Sequence, residues 1–149
     1  MKIQVLKGVG GVCFGDRRIS IAKKYGKRYR EFDKNQCPTN LAGIIDDHLC
    51  VYYDPQDRVD FFDVAEPTCL VDKTGTTIPL VYRTFMEWAT EHTFRLECDM
   101  VYIPSMSLVV TFQMLDDGTL PDSAIAIIAS IGIPEYFDEN YFDPLNKHS

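Results

Sequence analysis

Residues 48–64 read HLCVYYDPQDRVDFFDV, and this stretch decides the fold class. The runs 48–53 and 58–64 are rich in β-branched and aromatic residues. Asp54, Pro55, Gln56 and Asp57 lie between them. Proline presets φ for a turn and aspartate bonds its own backbone there, so the stretch predicts a β-hairpin. Asp60 is expected to alternate outward between Val59 and Phe61.

Upstream, Ile3, Val5, Val9, Val12 and Phe14 predict a short strand followed by a glycine-rich turn. Asp16 stands where it would cap a helix running to about Tyr29, with Ile19, Ala22, Tyr25 and Tyr29 on one face. Gly26 either ends that helix early or weakens it by about 1 kcal/mol. Residues 33–40 read as a loop, and 41–45 as either a strand or one helical turn. Downstream, 68–71 adds a strand. A second helix follows, with Thr77 as its cap, Pro79 in its first turn, and Val81, Phe85, Trp88 and Ala89 in one stripe. Arg83 and Glu87 form a favourable pair four residues apart. Strands are then expected over 94–101, 108–115 and 124–131.

The two halves have similar layouts. Turn and helix (11–29) precede a hairpin (48–64), and turn and helix (75–92) precede the strands of 94–131. The expectation is an α+β fold, an antiparallel sheet with two main helices, in one domain over residues 1–133. Its halves, 1–66 and 67–133, are either tandem helix–sheet repeats sharing one sheet or merely alike in order. Residues 134–149, PEYFDENYFDPLNKHS, form an acidic, aromatic tail.

Charge is distributed unevenly. Residues 1–34 carry ten Lys/Arg against three acids, a net of +7, and residues 35–149 carry five against nineteen, a net of −14; together they give the overall −7. Such a field acts on encounter and partner choice rather than on fold, and it points to a cationic partner. Five cysteines without CxxC spacing fit a reducing compartment. No signal peptide is expected, because MKIQVLKGVGGVCFG is interrupted by Lys7 and glycines. The longest apolar run, 124–133, is too short to span a bilayer. A soluble, cytoplasmic protein is the expectation.

The layout resembles small bacterial tandem helix–sheet modules, which include β-lactamase-inhibitory-protein-like domains and several immunity proteins of toxin–immunity pairs. The resemblance is carried by GVCFGD (11–16), LCVYYD (49–54) and RVDFF (58–62), then by DKTG (72–75), LVVTF (108–112) and IAI (125–127). It is a pattern of hydrophobicity and turns over most of residues 8–131, and it assigns no functional residue. The secreted inhibitors of this type carry signal peptides and disulfides, which this chain is not expected to have.

Four constellations of residues have the makings of chemistry. The glycine cluster 8–15 has Cys13 where GxGxxG needs glycine and lacks GK[ST], so it reads as a turn. Asp46, Asp47 and His48 lack a second ligand cluster, so they read as a solvated turn rather than a metal site. Cys50 near His48 sits in an apolar run, where thiols are inert. No nucleophile, base and orienter come together, so no catalytic residue, cofactor or metal is expected. The basic helix 17–30, with Tyr25 and Tyr29, is the nucleic-acid alternative. The acidic remainder of the chain opposes it. That helix could also meet an acidic patch on a second copy, giving a homodimer.

The acidic, aromatic surface is the leading candidate. It comprises Tyr52, Tyr53, Asp54, Asp57, Asp60 and Asp63 on the hairpin, Asp116 and Asp117 in the second half, and Tyr136, Asp138, Glu139 and Tyr141 in the tail. Aromatics supply anchor area and acids supply steering. The expectation is a non-enzymatic inhibitor of the immunity type that occludes a basic partner, a toxin domain such as a nuclease. The runner-up is a small enzyme or ligand-binding domain with a pocket between sheet and helices.

Overall fold

In the computed structural model, residues 2–31 and 42–133 are described. The chain opens with β1 (Lys2–Gln4), β2 (Gly8–Val9) and β3 (Val12–Cys13). β2 and β3 pair through Val9 and Val12 around Gly10 and Gly11, whose φ values of 57° and 89° are those a two-residue hairpin turn requires. The glycine cluster is thus a hairpin and its exit. Helix α1 (Arg18–Tyr25) follows.

Asp16 does not cap α1: its carboxylate accepts the Cys13 N–H at 2.9 Å and closes the preceding loop, and Arg17 is the capping residue, with no side-chain bond. Gly26, at φ 54°, ends α1, and a 3₁₀ turn leads into β4 (Tyr29–Glu31). Of the two readings of Gly26, early termination is the observed one. Ala42–Ile45 form a strand, β5, while Leu41 and the loop read over 33–40 lie outside the described residues.

The hairpin forms as expected, with β6 (Leu49–Tyr53) and β7 (Val59–Ala65). Next come β8 (Cys69–Val71), β9 (Thr77–Pro79) and α2 (Tyr82–Ala89). Here the expected helix start is corrected. Thr77 and Pro79 belong to a strand paired with β8, and the helix begins after Val81. Pro79 lies at the end of that short strand, where its missing N–H costs little. The apolar stripe is as read: Phe85, Trp88 and Ala89 are buried, and Arg83 meets Glu87 at 3.5 Å on the exposed side.

The remaining strands are β10 (Arg95–Glu97), β11 (Met100–Ile103), β12 (Leu108–Phe112) and β13 (Ala126–Gly132). The single strand expected over 94–101 is a hairpin instead. Cys98, at φ 54°, turns the chain between Glu97 and Met100.

Two sheets result. The larger has the order β10-β11-β12-β13-β7-β6-β5-β4, and the smaller β3-β2-β1-β8-β9. Each half contributes one four-stranded antiparallel meander to the larger sheet, so the halves share one sheet. At both junctions the paired strands hold the same place in the order of their halves, first with first and last with last. β7 meets β13 antiparallel with Asp63 opposite Ser130, and β1 meets β8 in parallel with Ile3 opposite Leu70. Each of these partners lies 67 residues ahead of its mate.

One face of the larger sheet packs on both helices and the smaller sheet. Val51, Phe62, Val64, Val110, Ala129 and Ile131 share a single core cluster with Ile21, Phe85 and Leu70. Phe85 anchors α2, with ring centroids 5.6 Å from Trp88 and 5.5 Å from Phe112. α1 is held more lightly, with Ile21 as its one buried residue. No described helix is long and apolar enough to cross a membrane.

Candidate functional site

The β6–β7 hairpin is the centre of the candidate surface, and its side chains divide between two faces. Leu49, Val51, Phe62 and Val64 point to the core, while Cys50, Tyr52, Phe61 and Asp63 stand on the outer face. The pleat imposes this alternation. It is interrupted once, where Tyr52 pairs with Phe61 but Tyr53 pairs with Val59. Asp60 is the extra residue of that β-bulge, so it occupies the bulge rather than the regular outward position expected for it.

Asp63 lies at the middle of the outer face. The Tyr52 hydroxyl donates to its Oδ2 at 3.0 Å, and the Ser130 hydroxyl to its Oδ1 at 2.5 Å. One carboxylate thus ties β6, β7 and β13 together across the seam between the halves. Tyr52 also meets Phe61 edge-on at 5.3 Å. Tyr53, by contrast, is buried, and its hydroxyl lies 2.9 Å from that of Tyr29. Burial raises both phenols above their ordinary range, Tyr53 the further. Tyr29 in turn lies over Gly43, where a Cβ would fall 2.3 Å from its ring.

The hairpin tip is built from its acids. Asp54 Oδ1 accepts the N–H groups of Gln56 and Arg58, each at 2.9 Å, and Asp57 takes φ 61°. The tip abuts the start of α1: Arg18 N–H donates to the Asp57 carbonyl at 2.9 Å, and its guanidinium lies 3.6 Å from both Asp57 and Glu31. A concavity of about 480 Å³ opens here, lined by Arg17, Arg18, Ile19, Glu31, Gln56 and Asp57. Asp60 is different in kind. Burial in the bulge raises its carboxyl above the ordinary carboxylate range, and the nearby charge of Asp54 raises it further. No ion pair among the described residues includes either of them.

Asp116 and Asp117 lie elsewhere. The register places Gly132 opposite Phe61 and Ala126 opposite Phe112, so the loop holding them leaves the end of the sheet opposite the hairpin tip. The six residue steps of β13 alone separate the ends by about 20 Å. Asp117 accepts the Thr119 N–H at 2.9 Å, and hydrogen bonding to Thr119 lowers its carboxyl. Asp116 is exposed beside it. The expected acids therefore form two patches. Tyr136, Asp138, Glu139 and Tyr141 lie outside the described residues.

The basic segment is partly neutralised within the fold. Arg28 pairs with Asp46, and Arg30 lies 3.4 Å from Asp47. Asp46 and Asp47, at φ 52° and 59°, form the turn between β5 and β6. The Arg28 contact holds the Asp46 carboxyl below its usual range. Lys24 and Arg28 flank the Tyr25 ring, each 5.4 Å from its centroid. Sequence reasoning missed the pairing of Arg18 with Asp57, because the tip meets α1 only through tertiary packing. Among the described residues, no three His, Cys, Asp or Glu side chains converge as a metal site requires. The chain matches no protein-family model, no curated protein and no solved structure.

Proposed function

We propose that the chain is a non-catalytic, protein-binding inhibitor of the immunity type, which works in the cytoplasm and captures a cationic toxin domain. The hairpin tip is the capture site. The observation that supports this reading is the Asp54–Asp60 pair. The half-buried carboxyl of Asp60 in the bulge feels the charge of Asp54 in the adjoining turn, and burial together with that repulsion raises the cost of its ionisation. A lysine or arginine from a partner relieves that cost and is attracted by it, while like-charged surfaces are rejected. The outer-face rings of Tyr52 and Phe61, one strand position away, provide apolar area beside the charge.

The test is capture by the tagged chain from its source cells at low and high salt, with the double variant Asp54→Lys/Asp60→Lys alongside. The expected result is one stoichiometric basic protein, lost at high salt and lost by the variant. That protein should arrest growth when expressed alone, and co-expression of the native chain should restore growth. Equal capture by the variant, or a captured protein whose binding ignores salt, overturns the reading.

A further inference from the structure

β10 ends the larger sheet, and all three of its residues, Arg95, Leu96 and Glu97, are exposed. It pairs with β11 across the two-residue turn of Cys98 and Asp99, with Glu97 opposite Met100 and Arg95 opposite Tyr102. A turn of that length closes on a hydrogen-bonded pair, and hydrogen-bonded and non-hydrogen-bonded pairs then alternate along the ladder. Arg95 and Glu97 therefore turn their backbone groups toward β11, and Leu96 turns its N–H and C=O outward to the edge. The Phe112 N–H donates to the Asp99 carbonyl at 2.9 Å, which fixes the same alternation from the β12 side. Leu96 shares the core face with Val101 yet is 49% exposed, while Arg95 and Glu97 stand on the outer face. No ion pair among the described residues includes either charge. The other sheet ends are built differently. On β4 the charges are already engaged, Glu31 with Arg18 and Arg30 with Asp47. β9 ends in Pro79, which has no N–H to offer, and β3 is two residues long.

We infer that β10 is a self-association edge, to which a second copy of this chain adds antiparallel about a two-fold axis through Leu96. Leu96 of each copy then exchanges both backbone hydrogen bonds with Leu96 of the other. On either side of the axis, Arg95 of one copy lies opposite Glu97 of the other. These are non-hydrogen-bonded positions, about 4.5 Å apart at Cα, where cross-strand side chains come closest. Charge on a short edge strand ordinarily repels another strand. Here the two charges are opposite in sign and equally far from Leu96, so each copy presents the complement of itself. A partner slipped by two residues would set Arg95 against Arg95 or Glu97 against Glu97, so the same charges fix the register. On the core face the two Leu96 side chains meet and cover each other's exposed apolar area. The contact is isologous and closes as a dimer rather than growing into a fibre. β7 lies four strand spacings from β10, about 19 Å, so each copy keeps its hairpin tip open. The inference goes beyond the binding function and does not depend on it.

The experiment is sedimentation equilibrium of the full chain and its β10 charge variants. About 0.15 M salt screens the net charge of −7 on each copy beyond about 8 Å and leaves close pairs effective. The native chain is expected to dimerise reversibly, with a Kd between about 10 µM and 1 mM for so small a contact. Arg95→Glu alone, or Glu97→Arg alone, sets like charges opposite each other twice and should weaken the dimer at least about tenfold. The double swap Arg95→Glu/Glu97→Arg rebuilds both pairs and should return Kd to within about threefold of the native value. An equimolar mixture of the two single variants should associate as the native chain does, because each supplies the charge that the other lacks. Both positions are exposed, so all variants should keep the native far-UV circular dichroism. A native chain that stays monomeric to about 1 mM overturns the inference. Single variants that dimerise as tightly as the native chain, or a double swap that fails to restore association, overturn it equally.

Discussion

Asp63→Ala removes the acceptor of two hydroxyl groups, those of Tyr52 and Ser130, in a part-buried position on the seam between the halves. Hydrogen bonds to a charged group contribute about 1.5–3 kcal/mol each when buried, and less where water competes. For two part-buried bonds the expected loss is about 2–4 kcal/mol. In a chain of this size each kcal/mol moves Tm by about 2–4 °C, so Tm should fall by roughly 4–16 °C. Urea unfolding and calorimetry measure both quantities. Asp63→Asn, which keeps one carbonyl acceptor, should lose about half as much. Cycles pairing Asp63→Ala with Tyr52→Phe and with Ser130→Ala should each show coupling of at least about 0.5 kcal/mol. A stability change below about 0.5 kcal/mol with additive cycles would refute the argument that this carboxylate ties the halves together.

Gly43→Ala forces the Tyr29 ring off its seat and away from the Tyr53 hydroxyl, with an expected cost of about 1–3 kcal/mol in the urea midpoint. The raised phenols of Tyr29 and Tyr53 mean that the folded state holds its protons where the unfolded state releases them. Stability should be level below about pH 9 and fall as pH rises beyond 10, and the double change to phenylalanine should flatten that fall. The raised Asp60 carboxyl has the same sign at acid pH. The folded state binds the extra proton, so ionised Asp60 costs stability at neutrality. Asp60→Asn should therefore gain stability relative to the native chain at pH 7 and lose that advantage by about pH 3, as read by denaturant melts at the two values. Phe85→Ala, at the buried centre of the α2 contacts, should cost about 3–5 kcal/mol in the same assay.

The hairpin was legible because Pro55 and the flanking alternation agree, and α2 because its apolar stripe has one period only. Its start was not legible. Thr77 and Pro79 suit a helix entry as well as a strand end, and the choice is made by pairing with Cys69–Val71. The break at Cys98 escaped notice because a non-glycine residue takes the left-handed conformation there, which no local signal marks. The parallel pairing of β1 with β8 joins residues 67 positions apart, beyond the range of any periodicity. At the candidate site, residue types were readable but their company was not. Asp57 faces Arg18, Asp63 faces two hydroxyls, and Asp117 faces its own loop, all through tertiary or turn geometry.

The pairing of β7 with β13 also bears on how the chain is made. Asp63 must wait for Ser130, 67 residues later, which at about 5–20 residues per second is roughly 3–13 s of synthesis. Throughout that interval the meander of the first half presents an open strand edge, the kind of template on which nascent chains pair wrongly. The bulge at Asp60 and the charge of Asp63 lie on that very edge strand. A twisted, charged edge is a poor partner for strangers, so the same two acids guard the unfinished sheet until its counterpart arrives.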